Sequence, residues 1–264
     1  SPLLIHTRAL AEKLQAELCD NYKVAFGMRY GDPSIAHALA QLKGLEKIIV
    51  LPLFPQYSSA ATGSALEAFY RASLKDWNIP SIKTIHQFYQ DPGFIESYAR
   101  NIRQYYQPGP DRMLLLSYHG LPQRHIEKSE CKAQCDKQGS CPKMNQDNAF
   151  CYRAQCYATS RAIAKALKLK EDDYRVSFQS RLGKIPWIVP YTDHILKDLR
   201  KEGIKHLCVA CPSFVADCLE TLEEINLELR EDWQAQGGTS FSMVPCLNSD
   251  DYWVGALAKM LALD

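Results

Sequence analysis

Two widely separated stretches carry side chains able to move a proton or hold a metal ion. In Leu114-Leu115-Leu116-Ser117-Tyr118-His119-Gly120-Leu121-Pro122, an apolar run long enough for a buried parallel strand stops at a histidine followed by glycine and proline. The imidazole is therefore expected at the carboxyl end of a strand, where open α/β sheets bind ligands. Further on, a second apolar run, Leu207 to Cys211, gives way to a helical pattern carrying Glu220, Glu224 and Glu228. Spacing by four puts the three carboxylates on one helix face. Such a row is ordinarily a solvated face. This one begins directly after a core strand, with Leu219, Leu222 and Ile225 on its apolar side, which predicts that it meets His119 at one sheet edge.

The cysteines form a second constellation. The chain has 10, and half of them are crowded between positions 131 and 156. Cys131, Cys135, Cys141 and Cys151 are spaced C-x3-C-x5-C-x9-C, and the intervening Lys132, Gln134, Asp136, Lys137, Gln138, Gly139 and Ser140 offer too few apolar side chains to fold alone. Four thiolates around a metal centre would order such a segment. Structural zinc favours a tight pair at both ends, and only Cys131 and Cys135 qualify unless Cys156 replaces Cys151. A [2Fe–2S] centre needs four cysteines and tolerates irregular spacing, whereas disulfides are disfavoured in a reducing cytosol. Cys156 is the least secure exclusion from this set. Cys208 and Cys211 fall inside a strand pattern and read as core.

The elements that must position these groups alternate between strand and helix. A helical pattern runs to about Leu18, Val24 to Met28 reads as a strand, Pro33 to Leu42 as a helix with proline in its first turn, and Lys47 to Phe54 as a buried strand. The loop Pro55 to Ser64, rich in small hydroxylated residues, precedes a helix over Ala65 to Leu74 and can cap it or hold an anion on its amides. Ile82 to Phe88 reads as a strand and Gly93 to Tyr106 as a helix. After the breaker Gln107-Pro108-Gly109-Pro110-Asp111 come the His119 strand, the cysteine segment and a helix from Tyr157 to Leu167. A strand Tyr174 to Gln179, a helix Thr192 to Lys201, the Leu207 strand, the glutamate helix, a short strand Phe241 to Val244 and a helix Asp251 to Leu261 complete the chain.

The halves echo each other. Phe26-Gly27-Met28-Arg29-Tyr30-Gly31 and Phe178-Gln179-Ser180-Arg181-Leu182-Gly183 both read F-x-x-R-x-G, followed by H-x-L-x-x-L at His37/Leu39/Leu42 and His194/Leu196/Leu199. The expected architecture is α/β: two flavodoxin-like, doubly wound parallel-sheet domains facing across a cleft. Residues 1–108 form the first, residues 109–249 the second with a cysteine-rich insert at 129–156, and residues 250–264 a terminal helix returning to the first. A net charge of +1 without a basic block excludes an electrostatic footprint for nucleic acid. No apolar run approaches the ~20 residues that span a bilayer, and the start lacks a signal-peptide layout, so a cytoplasmic protein is expected. A peripheral membrane contact stays open as a partner, and the oligomeric state is not read from the sequence.

Four motifs together resemble ferrochelatase, in the right order over essentially the whole chain: Pro55-Gln56-Tyr57-Ser58 with Thr62-Gly63-Ser64; Ser117-Tyr118-His119-Gly120-Leu121-Pro122; Gln179-Ser180-Arg181-Leu182-Gly183-Lys184-Ile185-Pro186-Trp187; and Pro212-Ser213-Phe214-Val215-Ala216-Asp217-Cys218-Leu219-Glu220-Thr221-Leu222-Glu223-Glu224. The resemblance implies a chelatase-like fold and insertion of ferrous iron, as substrate, into protoporphyrin IX or coproporphyrin to give haem. It implies His119 and Glu220 as the catalytic pair meeting Fe2+, with His119 assigned to proton abstraction or metal binding. Glu224 and Glu228 would line a metal or proton path on a helix with π-type irregularity, Tyr57 and Trp187 would contact the ring, and Arg29 and Tyr30 would lie close by. Some bacterial members carry a [2Fe–2S] cluster, so the resemblance implies one at Cys131, Cys135, Cys141 and Cys151, outside the porphyrin cleft, with zinc the runner-up.

Two departures accompany the resemblance. Cys218 stands where animal members have histidine. The family's opening strand and helical lip are not in this sequence, so the chain is expected to be a shortened product. A cobalt or nickel chelatase of another tetrapyrrole, and a non-catalytic iron–sulfur sensor on a chelatase scaffold, are the competing readings.

Overall fold

The computed structural model describes residues 1–129, 131 and 141–262. In chain order the elements are α1 (Pro2–Leu18), α2 (Ile35–Gln41), β1 (Lys47–Val50), a π-helical turn (Ser59–Gly63) running into α3 (Ser64–Ser73), β2 (Ser81–Thr84), α4 (Pro92–Tyr105), β3 (Arg112–His119), α5 (Gln123–Glu127), α6 (Tyr152–Leu167), β4 (Tyr174–Gln179), α7 (Thr192–Lys201), β5 (His206–Ala210), a π-helix (Glu220–Leu229) continuing as α8 (Arg230–Ala235), β6 (Ser240–Met243) and α9 (Asp251–Ala262). Among the described residues all ladders are parallel: β1 pairs with β2, and a four-stranded sheet runs β4-β3-β5-β6.

The larger sheet is covered on both faces, and the alternation of β3 and β5 shows why. Leu114, Leu116 and Tyr118 with Cys208 and Ala210 join a core that contains residues of α4, α6 and α9. Met113 and Leu115 with Leu207, Val209 and Cys211 pack with Leu196 and Leu199 of α7 and with Ile225, Leu229 and Trp233. Successive strand residues point to opposite faces, so a continuous apolar run serves two helix layers. Cys208 and Cys211 are buried on opposite faces and form no chelating pair.

Terminal α9 packs against α1 and α4. Trp253, fully buried, stacks on Phe88 with centroids 6.0 Å apart, and Lys13 reaches Asp251 at 2.5 Å. The two F-x-x-R-x-G segments share a backbone feature: Gly31 and Gly183 both have positive φ, 85° and 70°, where a side chain is disfavoured.

Several boundaries differ from the expectation. Val24 to Met28 joins no ladder among the described residues; the Val24 amide is taken by Gln15 Oε1 at 2.8 Å, and Met28 makes only an isolated bridge to Ser34. Pro33 precedes the α2 cap Ser34, whose hydroxyl accepts from the His37 amide at 3.1 Å. Strand β2 ends at Thr84, beyond which the Phe88 amide bonds the Pro55 carbonyl. Helix α6 begins at Tyr152, five residues before the expected Tyr157. No described helix is long and apolar enough to cross a membrane.

Candidate active site

His119 ends β3, half-buried, and its surroundings fix more than its place. Its Nδ1 lies 2.6 Å from the Gly120 carbonyl oxygen. A carbonyl only accepts, so Nδ1 carries the proton of the neutral ring and Nε2 keeps a lone pair for a proton or a metal ion. The backbone is held from both sides: the His119 amide donates to Ser213 Oγ at 2.9 Å, and its carbonyl accepts the Tyr152 hydroxyl at 2.7 Å. Gly120 must lack a side chain, since a Cβ would meet the Gln179 carbonyl at 2.8 Å. The Trp187 segment is clamped alongside, with Pro122 bridged to Trp187 and the Ile188 amide on the Leu121 carbonyl at 2.9 Å.

Glu220 opens the π-helix. Its carbonyl accepts Gln179 Nε2 at 2.8 Å, and Gln179 is the β4 residue in register with His119. Gln179 Oε1 in turn accepts Ser117 Oγ at 2.8 Å, so one buried amide ties β3, β4 and the π-helix together. The three glutamates are not equivalent. Glu224 is held by the Ser180 amide at 2.6 Å and the Ser180 hydroxyl at 2.5 Å, with Ser180 at a positive φ of 63°. Glu228 is exposed. Beside Glu220, the Cys218 thiol is pushed up to about 12 by burial first and then by the Glu220 carboxylate. Without a metal beside it, it is therefore a neutral S–H near pH 7.

The other wall comes from the Ser58–Ser64 turn. Arg29 Nε donates to Ser64 Oγ at 2.9 Å and its guanidinium lies 4.6 Å from the Tyr30 ring centroid. The Tyr57 hydroxyl lies close enough to touch a Cβ built on Gly63. Tyr30, Phe150, Leu182, Ile185 and Leu219 are exposed apolar side chains on the segments that carry these groups. Exposed apolar side chains on these segments are available to a flat apolar ligand.

The walls meet through the head of α6, which sequence reasoning did not single out. Gln155 Oε1 accepts the Tyr57 amide at 2.7 Å, and the Phe150 ring meets the Tyr57 ring edge-on at 6.2 Å. Gln155 falls before the helix expected from Tyr157 and gives no periodic signal; only the motif containing Tyr57 points near this network.

The cysteine segment adjoins the same helix. Cys141 and Cys151 are buried in the larger core and Cys131 packs against it; Cys135 lies outside the described residues. Arg153, 2% exposed, donates Nη1 to Cys141 Sγ at 3.0 Å. A buried guanidinium beside sulfur favours the thiolate, the form soft metals bind, so the donor chemistry fits a thiophilic centre. Among the described residues no three His, Cys, Asp or Glu side chains are already gathered around a metal position. Cys156 is a fully buried α6 residue with its thiol pushed up by burial.

Comparison with known proteins follows the same lines. The chain matches the ferrochelatase family model over residues 1–263. It is 50% identical to a ferrochelatase of Legionella pneumophila, over 99% of this chain and 78% of that protein, and 46% identical to one of Coxiella burnetii, over 98% and 73%. Among solved structures it is similar to SirB of Bacillus subtilis with Fe3+, at a TM-score of 0.61 and 13% identity, covering 97% of this chain and 87% of that one. A second is the sirohydrochlorin chelatase SirB from Bacillus subtilis subspecies spizizenii with cobalt, at 0.60 and 11%, covering 97% and 86%. These two likenesses carry the fold alone, a chelatase-like one.

Proposed function

The chain belongs to the ferrochelatase family, and on that premise we propose how its residues divide the work of inserting ferrous iron into a porphyrin to form haem. The protein is a lyase-type metal chelatase with a porphyrin and Fe2+ as substrates. Family membership favours this over the cobalt or nickel chelatase and sensor readings.

Insertion requires removal of two pyrrole protons, a metal donor that lets go, and a slot that holds the ring. His119 Nε2 is the group that takes a proton or touches the metal. The observation that carries this is the Nδ1 contact to the Gly120 carbonyl, which fixes the tautomer. Glu220, at the start of the π-helix, is its carboxylate partner; hard oxygen ligands suit a divalent ion that must leave again. Glu224, tethered to Ser180, shapes the path, and exposed Glu228 is its outer mouth. Tyr57 and Trp187 face the ring, with Arg29 and Tyr30 beside them. Anaerobic turnover with Fe2+, followed by loss of free-porphyrin fluorescence, tests the assignment: His119→Ala should be inactive, and near wild-type turnover would reject it.

Cys131, Cys135, Cys141 and Cys151 would hold a [2Fe–2S] cluster, with zinc the alternative. A bound cluster would supply a cross-link that orders the insert and a one-electron centre. We read residues 1–108 and 109–249 as two α/β domains sharing the site, 250–264 as a tie between them, the compartment as the cytoplasm, and any membrane contact as peripheral.

A further inference from the structure

One peptide group next to the imidazole is held from two directions. In the His119–Gly120 peptide the N–H donates to the Gln179 carbonyl at 2.7 Å, and the C=O accepts the Tyr152 hydroxyl at 2.7 Å. Because the peptide is planar, these two bonds set its plane. The next carbonyl, that of Gly120, is the one holding His119 Nδ1.

Tyr152 is itself fixed. It is 7% exposed and begins α6 immediately after Cys151, which is 2% exposed. Its neighbour Arg153 reaches Cys141, and Phe150 and Gln155 hold Tyr57 on the other wall. A single helix start therefore touches the cysteine pair, the imidazole's backbone and a ring-facing tyrosine. Core packing alone would explain a buried tyrosine. It does not require that the hydroxyl end on the carbonyl of the histidine at the strand's end.

We propose that Tyr152 is a positioning residue for His119, and that the head of α6 couples the order of Cys141 and Cys151 to the orientation of the imidazole. This rests on His119 acting in metallation. When the cysteine pair is ordered, the α6 start is fixed, the Tyr152 hydroxyl sets the peptide plane, and Nε2 points where the substrate requires it. When the pair is loosened, turnover falls before substrate binding does.

The test uses the full chain. Tyr152→Phe removes only the hydroxyl, and with it the bond to the His119 carbonyl as well as those to Cys156 and Ser213; kcat should fall about fivefold while KM for porphyrin stays within about twofold. A role in packing alone would lower Tm and leave kcat of the folded protein unchanged, which would overturn the positioning claim. Cys151→Ala should lower kcat in the wild-type background but add nothing in Tyr152→Phe, because both act through one bond; strictly additive losses would overturn the coupling. If Cys151→Ala does not fold, Cys141→Ala is read the same way. In the folded variants the side-chain nitrogen resonances of His119 should move in Tyr152→Phe and in the cysteine variant alike, and unmoved resonances count against the proposal. His119→Ala separates the layers: if it retains turnover, the assignment of His119 is wrong, whereas an inactive His119→Ala with an unaffected Tyr152→Phe rejects the positioning alone.

Discussion

Gln179 Nε2 donates to the carbonyl oxygen of Glu220 at 2.8 Å, from the strand position directly in register with His119. The residue is 3% exposed, and its oxygen is occupied by the Ser117 hydroxyl. The spacing of the two catalytic candidates is thus set by one side chain that belongs to neither. Replacing it by leucine would remove both bonds, at about 0.5–1.5 kcal/mol for each, although the Ser117 hydroxyl keeps Thr192 Oγ1 at 2.9 Å. Gln179→Leu should therefore lower stability by about 1–3 kcal/mol in urea unfolding and reduce turnover in the protein that remains folded. Unchanged stability would mean that the network is dispensable.

His119→Ala and Glu220→Gln should each abolish metallation while leaving circular dichroism and the urea midpoint close to wild type. Both side chains sit at element ends and are only half-buried, so neither contributes a core contact whose loss would open a cavity. A large loss of stability in either variant would move the residue from the chemistry to the scaffold.

The two outer glutamates should separate. Glu224 accepts from the Ser180 amide and hydroxyl, and charge-assisted bonds of this kind are worth about 1.5–3 kcal/mol. Glu224→Gln should lower stability by roughly 1 kcal/mol or more together with a partial loss of turnover. Exposed Glu228 should tolerate Gln with a change in stability within about 0.5 kcal/mol and a mild loss of rate. Equal and complete loss of turnover in both would identify them as metal ligands of the chemical step.

Alkaline stability gives a separate handle on Cys218. Its thiol is raised from 9.0 to about 12 by burial and the nearby Glu220, and that of Cys208 from 9.0 to about 12 by burial alone. The folded protein then binds more protons than the unfolded chain above pH 9, so stability is fully present below that point and falls as pH rises toward 12. Urea midpoints between pH 8 and 10.5 should decline, and Cys218→Ala should flatten the slope. A slope unchanged by that substitution would place the effect elsewhere.

How much of this was legible in the sequence depends on the kind of signal. Strand β4 and helix α7 have the bounds expected from apolar runs and breakers, because buried parallel strands write an uninterrupted pattern. The π-helix falls where the family resemblance implied an irregular helix. Val24 to Met28 looks like a strand in composition, but a strand needs a paired neighbour, and here Gln15 takes the Val24 amide. The early start of α6 was masked by Cys151, Tyr152 and Arg153, which read as an extension of the cysteine segment. The bonds from Tyr152 to His119 and from Gln155 to Tyr57 join residues 33 and 98 positions apart. Such pairs leave no periodicity, and only the folded chain shows them.

The cysteine segment carries the last prediction. Cys141 and Cys151 are buried in one core, Cys131 packs against it, and a buried guanidinium lies 3.0 Å from the Cys141 sulfur. A guanidinium donor to that sulfur would also stabilise a thiolate-bound cluster. Protein purified without oxygen should contain about two iron and two acid-labile sulfide per chain, and Cys131→Ser, Cys141→Ser and Cys151→Ser should each lose both, while Cys156→Ser should retain them. Arg153→Met should also lower iron retention, with the helix content of α6 preserved. Zinc without sulfide would replace the cluster by a structural metal, and sulfide retained in Cys131→Ser would reject this ligand set.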